Sequence, residues 1–139
     1  MNKKGPIIFI DDDRDDAEML EDTLKELMIH NPYLYFSNGI DALQYLQQTT
    51  EKPFLIFCDI NMPVMNGIQL REKINEDEAL RNKSIPFVFY TTSATPAAVK
   101  EAYKMSVQGF FIKEHSVEGM KKLIECIINY WQCCWHPND

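Results

Sequence analysis

The chain has 139 residues, a usual size for one domain, with 45% hydrophobic and 25% charged residues, which excludes disordered, collagen-like and disulfide-scaffold classes. Its formal net charge of −7 comes from 21 Asp+Glu against 14 Lys+Arg, a balance that disfavours non-specific binding to nucleic acid or anionic membrane. Residues 1–30 hold nine acids and four bases, and so −5 of that charge; a solvated helix face explains most of them, but not a triple Asp directly after four apolar residues.

That first apolar run, Ile7 to Ile10, is too short for a signal-peptide core, and no run approaches the ~20 residues of a membrane span. A cytoplasmic protein is expected. The run is β-branched and aromatic, so it predicts a strand that ends on Asp11, Asp12 and Asp13. Asp13 is a predicted N-cap, with Asp16 three positions on and Ala17, Leu20, Leu24, Leu27 and Met28 on one helix face. That helix should stop near His30, because Pro32 disfavours helical geometry before it. Leu34 to Phe36 predicts a second strand, and Asn38 caps a helix carrying Leu43 and Leu46. Phe54 to Cys58 predicts a third strand, ending on Asp59, with a helix from about Asn66 through Ile68, Leu70 and Ile74. Phe87 to Tyr90 is a fourth strand, ending on Thr91, Thr92 and Ser93. Thr95 with Pro96 then marks a helix start, and Val99, Ala102 and Tyr103 follow. Phe110 to Ile112 is a fifth strand, ending on Lys113. Ser116 caps the last helix, where Met120, Leu123, Ile124, Ile127, Ile128, Trp131 and Trp135 recur every three or four positions. A single domain spans 1–139, with a core of about 5–131 and residues 136–139 as a frayed tail.

Three of the strands lack apolar/polar alternation, as expected for a parallel sheet covered on both faces. Five β-α units with right-handed crossovers give an α/β doubly wound five-stranded sheet, and two strand orders are common for such sheets. The cysteines Cys58, Cys126, Cys133 and Cys134 include no Cys-x-x-Cys pair. Reduced, mostly buried thiols are therefore expected, rather than a zinc site completed by His136.

Sites in open α/β sheets form beyond the carboxyl ends of the strands. Four strands here deliver Asp11, Asp12, Asp59, Thr91 and Lys113 to one rim. Carboxylates so placed repel unless a cation joins them, and a set of hard oxygens suits Mg²⁺. A carboxylate beside such an ion can attack phosphorus, with the metal and a lysine neutralising the transferring group. Taken singly, Asp13 reads as a helix cap, Thr91 as a strand-end hydroxyl and Lys113 as a surface lysine. Asp59 is less bland, because a carboxylate directly after five apolar residues needs a partner.

The segments Ile7-Ile-Phe-Ile-Asp11-Asp12-Asp13, Phe57-Cys-Asp59-Ile-Asn-Met-Pro63-Val-Met-Asn-Gly67, Pro86-Phe-Val-Phe-Tyr-Thr91 and Gly109-Phe110-Phe-Ile-Lys113 resemble the receiver domains of two-component response regulators, in order and spacing over nearly the whole chain. The resemblance implies the flavodoxin-like order 2-1-3-4-5, with helices on both faces. It implies that Asp59 accepts a phosphoryl group. Mg²⁺ would be held directly by Asp12, Asp59 and the Asn61 carbonyl, and by Asp11 through water. Lys113 would hold the phosphoryl group, and Thr91 and Phe110 would be the switch pair. The implied partners are a sensor histidine kinase or histidine phosphotransfer protein and a downstream protein target, with a homodimer left open. No DNA-binding domain and no turnover beyond phosphoryl transfer to Asp59 and its hydrolysis are expected.

Three features depart from the common pattern. Glu114 follows Lys113 where many receivers have proline, Thr92 stands where Ala or Gly is frequent, and Phe110 has no hydroxyl. The Thr91-Thr92-Ser93 run, the non-proline after Lys113 and the Trp-bearing last helix resemble stand-alone receivers served by bacterial phytochrome-type kinases. A rival reading is a haloacid-dehalogenase-type phosphatase with Asp11 as nucleophile, which leaves Asp59 and its Met-Pro unexplained. A flavodoxin would need a phosphate loop where three aspartates stand.

Overall fold

The computed structural model describes residues 2–138. Five strands, β1 (Ile7–Ile10), β2 (Tyr33–Phe36), β3 (Leu55–Cys58), β4 (Phe87–Thr91) and β5 (Gly109–Ile112), form one sheet in the order 2-1-3-4-5. All neighbouring pairs are parallel, with Ile10 beside Phe36 and Cys58, and Phe89 beside Phe110. The helices are α1 (Arg14–Glu26), α2 (Gly39–Gln48), α3 (Gly67–Glu76), α4 (Glu78–Lys83), α5 (Pro96–Lys104) and α6 (Val117–Cys133).

Side chains alternate across the strands, so the sheet feeds two apolar layers. Ile7 and Phe9 face Leu20 and Leu24 of α1 and Ile124 and Ile128 of α6. Ile8 and Ile10 face Leu46 of α2, Leu70 of α3 and Ala102 of α5. The central strands β1 and β3 are buried along their whole length, which is why their sequences carry no polar face. Asp13, Asn38, Asn66, Thr95 and Ser116 each cap the helix predicted for them. At Asn66 the cap is reciprocal, with the Gln69 side chain accepting from the Asn66 N–H.

Several expectations need correction. Met28 is not on the buried face of α1: the helix closes at Leu27, and Met28 turns into the left-handed region (φ 60) with 72% of its surface exposed. Trp135 lies beyond α6 and is 88% exposed. The six-residue helix α4 was not predicted. Asp77 ends α3 and caps α4 at once, and Leu80 alone of the short helix is buried, so no periodic pattern marks it.

The tail is not frayed through residue 138. His136 is buried, stacked on the Phe54 ring at 5.4 Å, and its Nε2 meets the Phe54 carbonyl oxygen at 2.8 Å. Asn138 donates its main-chain N–H to His136 Nδ1 and its side-chain amide to the Lys83 carbonyl. Asp139 lies outside the described residues. The thiols are not mostly buried either, since Cys126 and Cys133 are exposed and Cys58 alone is fully enclosed. No cis peptide bond occurs among the described residues, so the Lys113–Glu114 bond is trans.

Candidate functional site

The parallel sheet brings the ends of β1, β3, β4 and β5 to one rim. Asp11 follows β1 and is fully buried; Asp59 follows β3 and is 6% exposed; Lys113 follows β5 and is 9% exposed. The ladder continues past the strands to fix them, with Asp59 N–H donating to the Ile10 carbonyl and Lys113 N–H to the Thr91 carbonyl.

Both Asp11 oxygens are engaged. Oδ1 accepts from Asp13 N–H at 2.9 Å, and Oδ2 accepts from Lys113 Nζ at 2.5 Å. Lys113 also donates to Asp16 Oδ2 at 2.7 Å, and stands 3.9 Å from Asp59 Oδ2. Asp59 Oδ1 accepts from the Ile60 N–H at 2.8 Å, and Oδ2 is the oxygen nearer Lys113. Asp12 is exposed, and one oxygen from each of Asp11, Asp12 and Asp59 lies within 4.8 Å of the others. No other three acidic, histidine or cysteine side chains come this close together among the described residues.

Burial pushes the Asp11 carboxyl up to about 6, against the pull of the Lys113 hydrogen bond and the Asp13 N–H. Burial also works against the Lys113 ammonium, but the hydrogen bonds it donates to Asp11 and Asp16 and the nearby carboxylate charges outweigh it and hold the pKa above the usual lysine range. Cys58 is raised well above an ordinary thiol by burial and the neighbouring carboxylates, so it is neutral and unreactive here.

Thr91 is fully buried, and its hydroxyl has no hydrogen-bond partner among the described residues. A buried hydroxyl left unpaired is costly. Phe110 is partly buried with its ring 6.1 Å from Phe89. Asn61 is exposed in the β3–α3 loop, where the Ile60 carbonyl accepts from both Met62 and Gly67. Thr92 is exposed at the rim. Asp13 is the α1 cap and takes no part in the acidic group.

The donor set consists of carboxylate oxygens, the chemistry that Mg²⁺ selects. Asp11 is fully buried with both oxygens hydrogen-bonded, whereas Asp59 Oδ2 accepts no hydrogen bond among the described residues and stands near Lys113. Sequence reasoning missed Asp16, which was read as part of the helix start. Its side chain instead reaches Lys113, 97 positions away. Tyr35 was also missed; its hydroxyl donates to the Asp11 carbonyl at 2.7 Å and pins the β1–α1 loop.

Gly67 was a motif residue without a stated role, and the structure supplies one. A Cβ there would stand 2.2 Å from the Asp59 carbonyl oxygen and 3.0 Å from Ile60 Cα. Both are backbone atoms in the loop that carries Asp59, so they have little room to yield. Gly67→Ala is expected to destabilise the fold by about 1–3 kcal/mol, the usual cost of overpacking. Urea unfolding checks this, and an unchanged midpoint would mean that the loop is looser than it looks.

Comparisons with known proteins agree with this geometry. Residues 7–125 match the family model of the response regulator receiver domain. Response regulator Rcp1 of Synechocystis sp. is 27% identical over 135 residues, covering 94% of this chain and 90% of that protein. Chemotaxis protein CheY1 of Helicobacter pylori is 29% identical over 122 residues, covering 88% of this chain and 95% of its own. Among solved structures, the phosphorylated cyanobacterial phytochrome response regulator RcpA aligns with a TM-score of 0.86 at 22% identity, covering 95% of this chain and 97% of that one. The Mn(2+)-bound form of Rcp1 aligns with a TM-score of 0.83 at 25% identity, over 95% and 98%.

Proposed function

The chain belongs to the response regulator receiver domain family, and from that membership we propose that it is the phosphoacceptor of a two-component phosphorelay, taking a phosphoryl group on Asp59. The observation that carries this is the placement of Asp59 Oδ2, at the rim, 3.9 Å from Lys113 and grouped with Asp11 and Asp12.

Asp59 Oδ2 attacks the phosphorus of a phosphohistidine on a sensor histidine kinase or histidine phosphotransfer protein. The P–N bond breaks, and its electron pair leaves with the imidazole. Lys113 turns from Asp11 and Asp16 to the new phosphoryl oxygens, and the unpartnered Thr91 hydroxyl donates to another of them. Asp12, Asp59 and the Asn61 carbonyl, with Asp11 through water, are the residues that would hold Mg²⁺. When bound, the ion supplies positive charge against the transferring phosphoryl oxygens. Transfer to its own Asp59 and hydrolysis there are the only chemistry, and Thr92 narrows the approach of the hydrolytic water.

The solved relative RcpA is a phytochrome response regulator, which supports a phytochrome-type kinase as donor. The output is a protein contact in the cytoplasm. No helix among the described residues is long and apolar enough to cross a membrane.

Intact mass after treatment with acetyl phosphate tests the reading. One added phosphoryl group is expected with Mg²⁺ and none in excess chelator; equal labelling in both would overturn it.

The output switch follows from Thr91 and Phe110, which lie on neighbouring strands. When Thr91 bonds the phosphoryl group, Phe110 repacks and alters the face of α5, β5 and α6, where Tyr103 and Ile112 are exposed. Beryllofluoride with Mg²⁺ is expected to shift the amides of Thr91, Phe110, Tyr103 and Ile112. A spectrum that changes only at the acidic rim would remove Thr91 and Phe110 from the switch.

A further inference from the structure

At the opposite end of the sheet, beside the strand starts, lies a cavity of about 370 Å³, within the size range of small-molecule sites. Its floor is aliphatic, made by Leu46 of α2, Ile56 of β3, Ile74 of α3, Leu80 of α4 and Ile85. The chain has three arginines, and two of them, Arg71 and Arg81, line this one space. None of the lining residues is acidic, although acids outnumber bases 21 to 14 in the chain.

Arg71 is 9% exposed. Its Nε donates to the Met105 carbonyl at 3.1 Å and its Nη2 to the Ser106 carbonyl at 2.9 Å. The guanidinium lies 5.0 Å from the Phe87 ring centre. Arg81 Nη1 donates to the Asn75 carbonyl. Neither arginine joins an ion pair among the described residues. Carbonyls satisfy some of the N–H groups, but they bring no counter-charge, and a buried cation without one is costly. A guanidinium has five donors, so Arg71 retains three, in the planar fork that fits a carboxylate. A monoanion costs less to desolvate here than a phosphate dianion.

We propose that this cavity binds a small organic carboxylate, its compact apolar body on the aliphatic floor and its anionic group against Arg71 and Arg81. The site is remote from the acidic rim, and it does not depend on the phosphoacceptor reading.

Benzoate, hexanoate and indole-3-acetate, titrated into nitrogen-labelled protein, test the proposal, with benzyl alcohol as the neutral counterpart of benzoate. At least one acid is expected to give saturable shifts centred on the amides of Arg71, Leu80, Arg81, Ser106 and Gln108. Benzyl alcohol should bind about tenfold more weakly than benzoate, about 1.4 kcal/mol. Arg81→Gln, at an exposed position, should keep the fold and weaken binding severalfold. Arg71→Met keeps the stem volume, loses the charge and should weaken it further. Absence of saturable shifts with all three acids, equal binding of benzoate and benzyl alcohol, shifts centred elsewhere, or unchanged affinity in Arg81→Gln would each overturn the proposal.

Discussion

Asp59→Asn is expected to fold, take no phosphoryl group and, without metal, melt no lower than the wild type. The rim brings oxygens of Asp11, Asp12 and Asp59 within 4.8 Å of one another. At an effective dielectric of about 20, each such pair repels by roughly 3 kcal/mol, and Lys113 at 3.9 Å attracts Asp59 by about 4 kcal/mol. Asp12 is exposed and its share is screened, so the terms on Asp59 nearly cancel, with a residue of repulsion. Asparagine removes that repulsion and keeps an oxygen for the Ile60 N–H. For the wild type, a cation at ~100 times its dissociation constant adds about 2.7 kcal/mol of stability. The variant should gain less, because a direct ligand is weakened. Thermal melts of both proteins, in chelator and in Mg²⁺, decide it. A clearly lower melting point for the variant in chelator would make Asp59 an ordinary ion-pair partner and end the idea of a shared acidic pocket.

The metal-free protein is also expected to lose stability as pH rises from about 4 to 7. Asp11 has a folded-state pKa of about 6 against an ordinary value of 3.8. The folded state therefore holds a proton that the unfolded chain has released between those values. Stability falls through that window and levels off above it, by about 3 kcal/mol at 1.36 kcal/mol per pH unit. Lys113 acts at the other end. Its pKa is raised in the fold, so its contribution is complete below the ordinary lysine pKa and is lost at strongly alkaline pH. Denaturant melts at several pH values in chelator, for wild type and Asp11→Asn, isolate the first effect. The wild type should weaken across the acid window more steeply than the variant. Parallel curves would show that Lys113 compensates Asp11 fully and that burial does not dominate.

The doubly wound fold was legible because strands buried on both faces leave unbroken apolar runs, and because each long helix opens on Asp13, Asn38, Asn66, Thr95 or Ser116. The residues at strand ends were legible for the same reason: the sheet must present Asp11, Asp59, Thr91 and Lys113 at one rim. Contacts that depend on three-dimensional closure were not legible. Nothing local ties Asp16 to Lys113 or Tyr35 to the Asp11 carbonyl. The tail was misjudged because His136 follows exposed Trp135 and no periodicity continues; it is held by Phe54, far off in sequence. Met28 fits the helical spacing, but the chain has already turned out of the helix when it arrives.

The central claim is that Asp59, and not Asp11, carries the phosphoryl group. Borohydride reduction after acetyl phosphate treatment, followed by peptide mapping, reads the position directly, because an aspartyl phosphate is reduced to homoserine. Homoserine at residue 59, dependent on Mg²⁺ during labelling, is the predicted result. Homoserine at residue 11, or unaltered aspartate at 59 in protein that carries the added mass, would contradict it.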